Sequence, residues 1–183
     1  DYDKDKDYYA RGHQLPNADR SSSASKIDQT YYVTNQTPQI NTGFNSGIWK
    51  SLEEFTRSQL PATDTVYVVT GAAFQKIGEA EKAVTWITPQ DDSKPCPVPN
   101  YYWKVLLKVK RSGSTITSAS TVGFWYEHKS YSGTGAKFND DEYVVSVDDI
   151  EAWTGFDFFV NLPDTIESAT ETGADWESFS KFG

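Results

Sequence analysis

The run from Tyr101 to Lys110, YYWKVLLKVK, sets the strongest limit on what this chain can fold into. Aromatic and β-branched residues crowd it, which favours a strand over a helix. Thr65–Thr70 (TVYVVT) and Ser120–Tyr126 (STVGFWY) read the same way, so the three together imply a substantial sheet. Thr30–Thr34 (TYYVT) is expected to add a short strand, closed by a turn at Asn35–Pro38 (NQTP), with a loop through Asn41 and Gly43.

Helical signals lie between and after these runs. From Asn45 the pattern becomes NSGIWKSLEEFTRSQLP, with Ile48, Leu52 and Phe55 on one helical face and Pro61 as the stop. Ser146 with Asp148 and Asp149 reads as an N-cap and acidic first turn, and Gly155 ends the short helix that follows. The acidic tail TIESATETGADWESFSKF predicts one more short helix. Pro89–Pro99 reads as an exposed loop and not a domain boundary, and residues 1–12 as an extended surface approach to Gly12. The expected fold is α+β, with a central, mainly antiparallel sheet and flanking helices. A length of 183 residues suits one domain over 1–183.

Composition narrows the function. Aromatic residues make up 15% of the chain, so large rings must fill much of the core. The net charge of −9 argues against non-specific adhesion to a polyanion, although a bound divalent cation with a small basic cluster can offset it locally. Cys96 is the only cysteine, which removes intrachain disulfides and multi-cysteine zinc sites. No apolar run reaches the roughly 18 residues of a membrane-spanning helix, and no signal-peptide series is present. The chain begins at Asp1 and contains no Met, which reads as an N-terminus removed by processing or proteolysis.

His13 and His128 are the only histidines, and neither belongs to a two-histidine metal spacing. HExxH, GxSxG and P-loop patterns are absent, and Gly133–Lys137 (GTGAK) reads as a turn. His128, at a strand end, is expected to be structural, and Asp140-Asp141-Glu142 to be a solvated acidic patch. Three segments carry more: Arg11-Gly12-His13, Asn35-Gln36-Thr37-Pro38-Gln39, and Asn45-Ser46-Gly47-Ile48-Trp49-Lys50-Ser51-Leu52-Glu53. In this order they resemble the RGH, N-x-[ST]-P-Q and N-x-G-x-W-x-x-L-E motifs of the DNA/RNA non-specific endonuclease family of the ββα-metal superfamily. Weaker similarity runs through Val66–Gly71, YYWKV and Ser146–Asp164. Family members usually carry further strands before the RGH motif, so the resemblance implies a domain that lacks its N-terminal strands. Many have Asp where this chain has Ala10.

The resemblance implies a metal-dependent endonuclease with a ββα-metal core, leaving 5′-phosphates on DNA and RNA. It makes His13 the general base and Asn45 the direct ligand of Mg²⁺, with Mn²⁺ or another divalent ion as alternatives. Arg11 is then a phosphate contact, and Asn35 and Gln39 support the loop backbone and water around the metal. The residue chemistry is compatible. An imidazole with a pKa near ~6.5 can take a proton from water at neutral pH. An amide oxygen suits Mg²⁺, which keeps most of its waters. Asn45, Trp49, Glu53 and Arg57 recur every four residues and drift only about 40° per step, so Glu53 can orient metal-bound water and Arg57 can hold phosphate. Asn45 as a plain N-cap, Glu53–Arg57 as a surface ion pair and Trp49 as core are the competing structural readings. A catalytically silent binding protein on this scaffold and an aromatic-lined glycan-binding module are the competing functions. The resemblance further implies secretion or a periplasmic location, nucleic acid and no membrane as partner, and leaves open a homodimer or a protein inhibitor.

Overall fold

A computed structural model describes residues 8–59, 65–88 and 94–183. At its centre is a four-stranded sheet in the order β3 (Thr65–Ala73), β6 (Tyr101–Ser112), β7 (Thr115–Glu127), β8 (Val144–Val145), with every neighbouring pair antiparallel. The mixed helix and antiparallel-sheet class expected from the sequence is the class observed. β6 and β7 run longer than the apolar pattern suggested, and Tyr102 pairs with Tyr126, Lys104 with Phe124 and Leu106 with Val122.

Strand alternation sorts these side chains onto two faces. Tyr102, Leu106, Val122, Phe124 and Tyr126 point to one, where they pack with Phe44, Ile48, Trp49, Leu52 and Phe179. Tyr101, Trp103, Val105 and Trp125 point to the other and pack with Val147, Ile150 and Phe158. The first face therefore receives α2 (Trp49–Ser58) and α5 (Trp176–Lys181). The second receives α3 (Val147–Thr154) and α4 (Asp164–Glu171), the latter tied to β7 by the Thr121 hydroxyl donating to the Thr170 carbonyl at 2.6 Å. β4 (Thr85–Ile87) and β5 (Cys96–Val98) form a separate pair.

The cap at Ser146 forms as expected. Its hydroxyl accepts from Asp149 N while Asp149 reaches back to Ser146 N, and Gly155 closes α3 at φ 75°, a conformation that only glycine adopts cheaply.

Several expectations need correction. Thr30–Thr34 is not a strand: α1 (Ala24–Thr30), capped by Ser23, runs into a turn and a 3₁₀ segment at Val33–Asn35. The strand is β2 (Gln36–Ile40), on the residues expected to turn, and it pairs with β1 (Tyr9–His13). Pro38 is tolerated there because this pair has open outer edges, and its carbonyl accepts from the Tyr102 hydroxyl at 2.7 Å. The helix expected from Asn45 begins at Trp49. Asn41–Ile48 is an irregular turn with non-helical dihedrals at Thr42, Gly43 and Gly47. In the Pro89–Pro99 region residues 89–93 lie outside the described residues, and Cys96–Val98 is a strand and not loop. The acidic tail makes two helices, α4 and α5. In the opening stretch 1–7 lie outside the described residues, and Tyr9–His13 is paired strand.

His128 joins the β1–β2 pair to the sheet. Its Nε2 accepts from Ile40 N at 2.8 Å, and its Nδ1 donates to the Pro99 carbonyl at 2.8 Å, which fixes a neutral tautomer. Burial lowers its pKa to about 4, against a smaller opposing effect of the Pro99 bond. The folded protein thus binds this proton less readily than the unfolded chain, so the contribution is present above about pH 6.5 and is lost as pH falls toward 4. Between pH 7 and 4 the wild type should lose about 3 kcal/mol of unfolding free energy relative to His128→Gln, measured by urea denaturation of both proteins at each pH. Parallel curves would remove His128 from the pH response.

Candidate functional site

A cavity of about 390 Å³ opens between β1, the turn after it, and the start of α2. Its lining includes His13, Asn17, Asn45, Lys50, Glu53 and Arg57. Four residues singled out from the sequence, His13, Asn45, Glu53 and Arg57, thus share one cavity although they come from segments more than thirty residues apart.

His13 ends β1 opposite Gln36. Its ring is half-buried and meets the edge of Tyr31 at 5.5 Å, and its Nε2 is buried without a hydrogen-bond partner among the described residues. Burial holds its pKa below the ordinary value, which favours the neutral ring at pH 7. Gly12 sets the course of the strand here. A Cβ on it would lie 2.2 Å from Gln39 Cδ and 2.3 Å from Cγ, and Gln39 is fully buried and has nowhere to move. Gln39 therefore crosses the strand where Gly12 leaves room, and both its amide atoms lack partners. Asn35 holds the turn that follows His13: its Oδ1 accepts from Leu15 N at 2.9 Å, and its Nδ2 donates to the carbonyls of Leu15 and Thr30.

Asn45 sits in the irregular turn between two buried anchors, Phe44 and Ile48. Phe44 stacks on Trp49 at 5.8 Å and packs on Tyr102 at 5.2 Å, so the backbone of the turn is pinned from beneath. Asn45 does not cap α2, whose N-cap position is Ile48. Trp49 is 1% exposed and belongs to the core.

One turn on, Glu53 is half-buried. Burial pushes its carboxyl well above the usual carboxylate range, opposed by the charges of Lys104 and Arg57. Lys104 lies in the sheet below, 4.9 Å over the Trp49 ring, and donates to Thr70 Oγ1 at 2.7 Å. Its own pKa is pushed down by burial and drawn back up by Glu53 and Asp19. Each group of this pair offsets part of the cost of burying the other's charge. Arg57 makes its ion pair with Asp19, Nη1 to Oδ1 at 3.1 Å, in the 3₁₀ turn Asn17–Arg20 that follows the RGH segment. Arg11 does not line the cavity. It lies two residues before His13 on an exposed stretch of the same strand.

Sequence reasoning missed Lys104, Asp19, Asn17 and Lys50 as neighbours of the site. Lys104 carried a signal, a charge inside an apolar strand, but its partner is set by the packing of α2 on the sheet. Asp19 and Asn17 stood in the segment directly after the RGH motif.

The donor set suits a hard divalent cation: Asn45 and the half-buried Glu53 share a cavity with the imidazole of His13. Such a set can also bring a neutral base beside a charged oxygen.

Residues 1–165 match the family described as DNA/RNA non-specific endonuclease. The mitochondrial Nuclease 1 of Schizosaccharomyces pombe is 27% identical over 156 residues, covering 85% of this chain and 47% of the relative. A nuclease of Nostoc sp. is 28% identical over 91% of this chain and 56% of its own length, and the human mitochondrial nuclease EXOG is 28% identical over 87% and 42%. The chain spans about half the length of the curated relatives it matches. Among solved structures, a chain of the EndoG/EndoGI complex has a TM-score of 0.67 at 20% identity, covering 90% of this chain and 64% of that one, which establishes the shared fold. The expectation of a secreted or periplasmic protein is overturned, because several of these relatives are mitochondrial nucleases.

Gly12→Ala should destabilise the fold by roughly 1–3 kcal/mol, the usual range for overpacking, because the new methyl meets the immobile Gln39. Urea unfolding checks this, and a change below about 0.5 kcal/mol would show that the strand and Gln39 part easily.

Proposed function

The chain belongs to the DNA/RNA non-specific endonuclease family, and on that premise we propose that it hydrolyses phosphodiester bonds of DNA and RNA in the cavity between β1 and α2, leaving 5′-phosphates. The observation that carries this reading is the placement of His13, Asn45 and Glu53 in one cavity. His13 is the general base: burial favours its neutral ring at pH 7, and the ring takes the proton of the attacking water. The β1–β2 pairing and the Asn35 clamp keep the ring and its following turn in place, so the base need not be ordered during the reaction.

Asn45 would hold Mg²⁺ or a similar divalent ion directly, with Glu53 acting on its waters, and the ion when bound supplies positive charge to the scissile phosphate. Lys104, which does not face solvent, opposes from beneath the rise that burial imposes on the Glu53 carboxyl. Arg57 has donors beyond the one bound to Asp19 and is proposed to bind phosphate within the cavity, with Arg11 as an outer phosphate contact. Gln39 holds its strand against Gly12 and so supports His13. A protein inhibitor is proposed as a partner class, since the solved fold neighbour is described by its inhibition.

The test is cleavage of supercoiled plasmid and of RNA with Mg²⁺ or with EDTA, beside His13→Ala and Asn45→Ala. Cutting should require the metal and fall about 10²–10⁴-fold in His13→Ala. The acid limb of kcat/KM should lie below pH 6.5, since burial lowers the His13 pKa. Unchanged cutting by His13→Ala would remove it as the base. Metal-dependent nucleic-acid binding with no cleavage would favour a silent relative on this scaffold.

A further inference from the structure

On the sheet face opposite His13, α3 and α4 bring three carboxylates together. Asp148, Glu151 and Glu171 each place an oxygen within 4.8 Å of the others. Glu171 is 5% exposed, and its Oε1 is buried without a hydrogen-bond partner among the described residues. A buried acceptor with nothing to accept from is costly, which points to a missing positive partner. Glu151 is already oriented, its Oε1 accepting from Phe158 N at 2.6 Å. Asp148 is exposed in the first turn of α3 and takes no part in the cap, which Ser146 and Asp149 complete between themselves. Thr121 fixes the C-terminal end of α4 against β7, so the three groups rest on a rigid frame.

The surroundings are strongly acidic. Burial first, and then the charges of Glu151, Glu167, Asp148 and Asp157, push the Glu171 carboxyl up to about 8. Only a proton or a cation relieves this arrangement. The spacing bears on which cation. Two oxygens on one ion lie at most twice the metal–oxygen distance apart, about 4.2 Å for Mg²⁺ and about 4.6–5.2 Å for Ca²⁺. Oxygens all within 4.8 Å of one another fit inside the Ca²⁺ shell, whose larger and more flexible geometry also suits three carboxylates better than the strict octahedron of Mg²⁺.

We propose that Asp148, Glu151 and Glu171 hold a structural Ca²⁺ that clamps α3 to α4, a site separate from the His13 cavity and on the other side of the central sheet. Water would complete the coordination shell at the open Asp148 side.

Calorimetric titration with Ca²⁺ at pH 7.5, paired with thermal melts, tests this on the wild type and on Asn45→Ala, Asp148→Asn and Glu171→Gln. One Ca²⁺ should bind the wild type with a Kd of about 10⁻⁴ M or tighter and raise the Tm by several degrees. The same event should persist in Asn45→Ala and weaken at least tenfold in Asp148→Asn and in Glu171→Gln. Mg²⁺ should bind this site at least tenfold more weakly than Ca²⁺. No binding to Asn45→Ala, or binding unchanged in Asp148→Asn, overturns the site, and equal Mg²⁺ affinity overturns the choice of ion. Asp148 is exposed, so its variant decides the question even if Glu171→Gln does not fold. A Glu171→Gln protein that melts above the wild type, with no Ca²⁺ binding to either, would mean that a proton occupies the place and would also overturn the site.

Discussion

The docking of the β1–β2 pair and the Asn41–Ile48 turn onto one face of the central sheet is the contact on which the cavity depends. Polar bonds and one aromatic cluster make it. The Tyr102 hydroxyl reaches the Pro38 carbonyl and Thr37 Oγ1, and Ile40 N reaches His128, while Asn41 N ties the turn to the Tyr8 carbonyl within the unit at 2.7 Å. Beneath them Phe44 and Trp49 sit against Tyr102 and Tyr126. Each polar bond is in or next to the core, where leaving it unmade would cost about 1–3 kcal/mol, so the unit has one low-energy seating. His13 lies at one end of this unit and Asn45 at the other, and fixing the unit fixes both.

Much of this was legible in the sequence, for a physical reason that also explains the failures. The strands over Thr65–Ala73, Tyr101–Ser112 and Thr115–Glu127, and the helix from Val147, are each specified by their own residues: apolar and β-branched runs in the strands, a capping box and a C-terminal glycine in the helix. Tyr31, Tyr32 and Val33 looked like strand by propensity, yet they are exposed at 55%, 61% and 85% and pair with no strand. The residues that do pair, Gln36–Ile40, contain a proline and two glutamines, and only long-range contacts with β1, Tyr102 and His128 make them a strand. Propensity reads neighbours in sequence, and these contacts lie up to 88 residues away.

The same division holds in the cavity. His13, Asn45, Glu53 and Arg57 could be named from three linked motifs, but the helix was placed four residues too early, since the turn carrying Asn45 is shaped by Phe44 and Ile48 entering the core. The charge beneath Glu53 was out of reach of motif reading. Lys104 looks like an interruption in an apolar strand until α2 is laid across it. The chain as a whole is negative by 9 charges, yet its cavity is bordered by Lys50 and Arg57 and underlain by Lys104, so net charge is a poor guide to the local field.

Gly12 and Gln39 are two halves of one volume. The space that a side chain would take at position 12 is filled from the neighbouring strand, so the glycine in the RGH segment records the size of a residue twenty-seven positions later. Neither position can be altered alone without leaving a clash or a hole. A larger residue at 12 becomes acceptable only when 39 shrinks, and the imidazole beside them moves with whichever compromise is struck. The exploration of new chemistry around His13 is therefore constrained first by a packing problem that no catalytic atom takes part in.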